Sequence, residues 1–301
     1  MLPPEIQRIV LLIGLAAVGY LLILAWTEDM EAAKTPAVYS DAPLVSQQSS
    51  MAAAELPSVD EFKLIDSDIP AETVTPSAQT TMDTGRLVKV ETAVLEVWVD
   101  LLGGDIARVQ LPTYPISLDQ PETPFLLMDR SAGRTYIAQS ALIGPDGIDK
   151  TGARPLYDVE KNTVTVNSGG ELVLTTTLED ARVAKIFSFT PNSHLINVRY
   201  EVVNLGDQAK NMRLLTQIKR DRLPPPTDET VPLAPSPYLG GALTTPDNNY
   251  EKVDFDDLDE GSFEAATVGG WMAFLQHYFL TAWVAPADQA TNYLARKTSD
   301  G

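Results

Sequence analysis

The stretch Leu87–Asp100 reads LVKVETAVLEVWVD, and its reading decides the fold. Val, Leu, Thr and Trp fill it and its apolar residues partly alternate, which is the pattern of a half-buried β-strand. Gly103-Gly104-Asp105 then supplies a turn. The same character recurs downstream in IARVQLP, PFLLMD, RTYIAQSALIG, NTVTVN, ELVLTTTLED, RVAKIFSFT, HLINVRYEVVN and NMRLLTQIKR. Turn signals separate these runs, among them Gly144-Pro145-Asp146-Gly147, Asn167-Ser168-Gly169-Gly170 and Asn204-Leu205-Gly206-Asp207. Closely spaced strands with few helical windows predict a mainly β domain, an antiparallel sandwich or barrel. Pro224-Pro225-Pro226, Pro232, Pro235 and Pro237 predict an extended loop. GGWMAFLQHYFLTAWVAP (269–286) is apolar but interrupted by Gln276 and His277, so it predicts a pair of buried strands and not a membrane span.

Upstream the chain has a different chemistry. Ile9 to Trp26, IVLLIGLAAVGYLLILAW, runs eighteen residues without a charge, the least length of helix that crosses the hydrocarbon core. It ends in Ala-Trp-Thr-Glu, a poor cleavage site, so it reads as a retained signal-anchor. Arg8 before it and Glu28, Asp29 and Glu31 after it place residues 1–8 in the cytoplasm and export the remainder of the chain. Residues 27–85 carry eleven acids, two lysines and scattered apolar side chains, the composition of a flexible acidic linker. The sequence therefore divides into an anchor at 9–26, a linker at 27–85, a β domain at 86–290 and a tail at 291–301.

The chain of 301 residues carries 41 acids against 22 Lys and Arg, a formal charge of −19. That excess excludes nucleic acid as a partner, since phosphate backbones are bound by clustered cations. Cysteine is absent, so disulfides, thiolate metal sites and thiol nucleophiles are excluded. The only two histidines are His194 and His277, too few for a histidine metal triad. No G-x-S-x-G elbow or G-x-G-x-x-G loop occurs. Asp254, Asp256, Asp257, Asp259 and Glu260 lack the calcium-loop order and read as a solvated acidic loop. Tyr114, Tyr157, Trp271 and Trp283 are of the kind that stacks on sugars, but core packing is the ordinary role of such rings. No catalytic, cofactor-binding or metal-binding residue is predicted, and the protein is not expected to be an enzyme.

Four blocks, GGDIARVQLPTYP (103–115), GARPLYDVEKN (152–162), TPDNNYEKVDFDDL (245–258) and GGWMAFLQHYFLTAWVAP (269–286), come after the anchor in order. In this the chain resembles the N-terminal part of the YidC membrane protein insertases of Gram-negative bacteria: their first transmembrane helix and large periplasmic domain. The resemblance implies a β-supersandwich of galactose-mutarotase-like type, anchored in the inner membrane with its bulk in the periplasm. It implies a scaffold that contacts the Sec translocon and the SecDF complex, and nascent inner-membrane proteins as clients of the intact insertase. The Pro-rich, acidic region Leu223–Glu260 is the expected contact surface. Insertases of this family continue with five further transmembrane helices, which this sequence lacks, so it is expected to represent part of such a protein. The alternative is a membrane-tethered periplasmic protein that binds or epimerises carbohydrate.

Overall fold

One threonine splits the opening stretch in two. The Thr92 hydroxyl accepts the Leu95 amide at 2.9 Å, and the Thr92 amide donates to the Leu95 carbonyl at 2.8 Å. This closes a tight turn between β1 (Leu87–Glu91) and β2 (Glu96–Asp100). LVKVETAVLEVWVD is therefore a hairpin and not one strand. Its turn contains no Gly, Pro, Asn or Asp; the threonine side chain substitutes for them.

The computed structural model describes residues 84–131, 133–150, 153–224, 238–276 and 278–298. All of them belong to one compact unit, Glu55–Gly301. The anchor expected at 9–26 and the linker expected at 27–85, except for a single 3-10 turn at Thr84–Arg86, lie outside the described residues. Among the described residues no helix is long and apolar enough to cross a membrane.

The unit is an antiparallel β-sandwich. Its first sheet adds β3 (Asp105–Pro115), β4 (Pro124–Ser131), β5 (Arg134–Ile143) and β10 (Arg213–Arg220), in the order β1-β2-β3-β4-β5-β10. Its second contains β6 (Asp158–Asn162), β7 (Gly170–Thr177), β8 (Ala181–Phe189) and β9 (Ile196–Asn204), paired in sequence order. The two pack face to face through one hydrophobic cluster. Val97, Val99, Tyr136 and Tyr157 meet Leu172, Leu174 and Phe187 there, each fully or almost fully buried. Burying each such leucine or valine stabilises the fold by roughly 1.5–3 kcal/mol.

A third sheet, β11 (Leu239–Leu243), β12 (Glu251–Val253), β14 (Trp271–Gln276) and β15 (Phe279–Val284), has the order β12-β11-β14-β15. The 269–286 segment is thus the strand pair its interruptions predicted, but the pair is not buried throughout: in β14 only Ala273 and Gln276 are buried, and β15 is a partly exposed edge strand. A ribbon of β13 (Phe263–Val268) and β16 (Ala290–Ala295) completes the fold, with a four-residue helix α1 (Asp257–Glu260) before it.

Three expectations change. The strand expected in NTVTVN falls instead on DVEKN, β6, an exposed edge strand whose charges all face solvent. The tail expected from residue 291 is β16, whose Tyr293 is buried against β13, so the sheet structure runs past 290. The region Leu223–Glu260, expected to be exposed as a contact surface, is exposed only in part, because β11 lies in the interior of its sheet with Ala242 and Leu243 buried.

Candidate functional site: a buried ion network and an apolar groove

The inward row of β8 is Ala181, Val183, Lys185, Phe187 and Phe189, all buried. A lysine therefore sits in the middle of the sandwich core. Its Nζ donates to the carbonyls of Gly103 at 3.0 Å and Ser140 at 3.1 Å. Burial pushes its pKa down to about 8, opposed by the nearby Asp105.

Around it lies a chain of buried charges. Arg154 clasps Asp105 with both terminal nitrogens, at 3.0 and 2.8 Å, and reaches Asp149 through Nε at 2.8 Å. The Gln139 amide also donates to Asp105 at 2.6 Å, and Gln217 donates to Gln139 at 2.7 Å. Asp149 accepts the Leu142 amide at 2.9 Å. Burial raises the Asp149 pKa despite Arg154 beside it; it opposes the charge of Arg154 too, but Asp105 and Asp149 outweigh it and hold that guanidinium ionised. A neighbouring knot joins Asp100 to Arg86, at 2.5 and 2.8 Å, and to Arg130 at 2.9 Å. The Tyr157 hydroxyl lies in the same core with no hydrogen-bond partner among the described residues, and burial raises its pKa well above the usual value.

The Gly103-Gly104 turn makes this possible. Both glycines have positive φ, 79° and 64°. A β-carbon on Gly103 would lie 2.3 Å from Arg154 Nη2, and one on Gly104 2.8 Å from Lys185 Cδ. The turn is glycine for its conformation and for the two cations packed on it. The network thus joins GGDIARVQLPTYP to GARPLYDVEKN, two blocks about fifty residues apart in sequence. Its charges are paired with one another or with backbone carbonyls, and Lys185 ties β8 of the second sheet to the Gly103 turn and to β5 of the first.

The opening in the unit is elsewhere. A groove of about 2150 Å³ is lined by β3, β9, β10, β15 and the start of β16. Tyr114, Phe125 and Phe279 form its aromatic floor: Phe125 and Phe279 stack at 4.3 Å and Tyr114 meets Phe279 edge-on at 5.4 Å. His194 lies on its wall, 6.2 Å from Tyr114. Among the described residues its lining contains no Asp, Glu or Lys; Arg213 is its one permanently charged member.

The residues singled out from sequence scatter. Tyr157 is core and Tyr114 is in the groove. Trp283 also lines the groove and donates its indole N–H to the Gln217 carbonyl at 3.0 Å, whereas Trp271 packs against Tyr250. These four rings form no common sugar platform. His277 lies outside the described residues. Of the acidic group, Asp259 is clasped by Arg222, at 2.9 and 2.8 Å, and by Lys297 at 2.8 Å, which pull its pKa down to about 2. Sequence reading missed Lys185, Asp149 and Arg154. The available signal was a lysine in the inward phase of an otherwise apolar alternation.

The family model of the YidC periplasmic domain matches residues 87–301. Similar proteins named membrane protein insertase YidC include one from Ectopseudomonas mendocina (strain ymp), 36% identical over 99% of this chain and 55% of its own length. One from Pseudomonas putida is 37% identical over 99% of this chain and 53% of its own, and one from Alcanivorax borkumensis is 36% identical over 96% and 52%. The chain spans about half the length of the relatives it matches. With two of its quoted blocks meeting at one buried network and its β-sandwich in place, the chain belongs to the YidC membrane protein insertase family, and the described residues form its periplasmic domain.

Proposed function

We propose that this chain is the anchor and periplasmic docking scaffold of an inner-membrane insertase, which assists insertion and folding of membrane proteins with or without the Sec translocon. The observation that carries the reading is the groove. An acidic domain that keeps carboxylates out of an apolar trough of this size presents a docking surface for polypeptide. Residues 9–26 hold the chain in the bilayer with the N-terminus in the cytoplasm, and 27–85 tether the domain. Nascent inner-membrane proteins are the clients, and the scaffold performs no catalytic step and holds no cofactor or metal.

The Sec translocon and SecDF contact the domain through the 223–260 region. Because β11 and β12 are built into the third sheet, the test of that surface is a replacement of 225–237 by Gly and Ser, not removal of the whole region. Reduced SecDF co-purification with an unchanged circular dichroism spectrum supports the assignment; unchanged co-purification overturns it. Photocrosslinking from Leu195 in the groove to nascent membrane proteins, in the membrane-embedded insertase, tests the client reading, and crosslinks confined to lipid would refute it.

A further inference from the structure

Three open sheet edges converge on the groove. Among the described residues β10, β9 and β15 each pair on one side only, and residues of all three line it. On β15 the direction of the free backbone groups is fixed by the ladder. The Ala285 amide donates to the Gly270 carbonyl at the end of the β14 pairing, and antiparallel pairs alternate. The amides and carbonyls of Leu280, Ala282 and Val284 therefore point away from β14, toward the open side. Leu280 and Val284 are 57% and 65% exposed, and Tyr278 and Leu118, which line the same groove, 82% and 87%. On β9 the Leu205 amide donates to the Asp180 carbonyl, which by the same alternation leaves Ile196 and Val198 presenting backbone groups outward.

An edge with apolar neighbours and unpaired main-chain groups is a template for another strand. Charge selects what that strand is. The lining offers neither a carboxylate to hold a basic segment nor, beyond Arg213, a cation to hold an acidic one. Only an uncharged segment enters without dehydrating a charge that finds no counter-ion there. We infer that the groove takes an extended, uncharged, apolar segment of a client polypeptide, added as a strand along the open edge of β15. The inference rests on the docking reading above and names its substrate class and binding mode. Main-chain hydrogen bonds to Leu280, Ala282 and Val284 supply affinity without sequence preference. The Tyr114–Phe279 floor and Leu214 receive alternate side chains.

The test uses the 301-residue chain in nanodiscs and a fluorescent ten-residue peptide of Leu, Val, Thr and Ser, read by anisotropy. Ala282→Pro deletes one outward amide and leaves the β14 ladder intact, as proline is tolerated where an edge N–H faces away. With the fold retained by circular dichroism, Ala282→Pro is expected to weaken the peptide about tenfold, the effect of one lost main-chain hydrogen bond. A peptide N-methylated at alternate residues weakens comparably on one phase and not on the other. Leu280→Asp weakens the neutral peptide and strengthens one containing lysine. Equal binding by the folded Ala282→Pro chain, or indifference to N-methylation in both phases, overturns strand addition. Absence of binding to the unsubstituted chain overturns it as well, and a dimer by sedimentation that Ala282→Pro dissolves would overturn the client assignment in favour of a second copy. The assay reads no insertion, so its failure leaves the insertase reading standing, and a failed client crosslink leaves the peptide result interpretable.

Discussion

Arg154 occupies the space that a side chain on Gly103 would need: its Nη2 lies 2.3 Å from the position of such a β-carbon and donates to the Gly103 carbonyl at 3.1 Å. Two carboxylates hold the guanidinium there, so it cannot swing away. Gly103→Ala therefore incurs both a strained positive φ and a displaced buried cation. The expected loss is about 3 kcal/mol or more by urea unfolding. A loss under about 1 kcal/mol would show that the turn relaxes freely.

Removing the cation is worse than crowding it. Arg154→Met strands Asp105 and Asp149 in the core and should cost about 3–5 kcal/mol, the usual penalty of a broken buried pair. Arg154→Lys keeps the charge but not the planar fork that spans both carboxylates, so it rescues only part of this loss. Full rescue by lysine would refute the bidentate account.

Lys185 gives the stability a pH dependence of definite sign. Its pKa is about 8 when folded and near 10.5 when unfolded, so between these values the unfolded chain binds more protons. Stability consequently rises with pH across this window. Above about pH 10 the buried tyrosines, whose pKa values burial raises, pull the other way. Unfolding curves at about pH 8 and about pH 9.5 should show the rise, and Lys185→Met should abolish it. A rise that persists in Lys185→Met would assign it to another group.

Tyr157 offers a stabilising change. Its buried hydroxyl bonds to nothing among the described residues, and Tyr157→Phe removes that group while keeping the ring. Thermal unfolding should be unchanged or later, with a gain of up to about 1 kcal/mol. A clear loss would reveal a partner for the hydroxyl.

Asp259 ties Arg222 to Lys297, just beyond β16. The groups are exposed, so Asp259→Asn should leave global stability nearly unchanged. Hydrogen exchange of the amides at 296–298 should nevertheless quicken, because the bond to Lys297 is gone. Unaltered exchange there would show that the β13–β16 pairing holds this end unaided.

The sandwich was legible because its strands alternate and are punctuated by Gly, Pro and Asn. The features that escaped have local causes. The turn at Thr92 uses a hydroxyl in place of glycine. β11 reads LGGAL, in which two glycines suggest a turn, yet it is paired on both sides. β13 and β16, FEAATV and ATNYLA, are rich in alanine and weak in β propensity; they are held by Tyr293, whose hydroxyl donates to the Gly269 carbonyl at 3.0 Å. The ion network was invisible because Asp105, Arg154 and Lys185 satisfy partners distant in sequence, and only the closed sandwich brings them together. The groove is likewise a product of tertiary assembly, built from edges whose sequences look like any other strand.

The lysine in the core has a consequence for how the domain is made. Lys185 belongs to one sheet, and the carbonyls and carboxylates that neutralise it belong to the other side of the interface. Before the sheets close these groups are hydrated, and closing strips that water from Lys185, Asp105 and Arg154 as their partners arrive. The cost of dehydrating these charges and the bonds that offset it therefore fall on one event, the closing of the two sheets over Lys185.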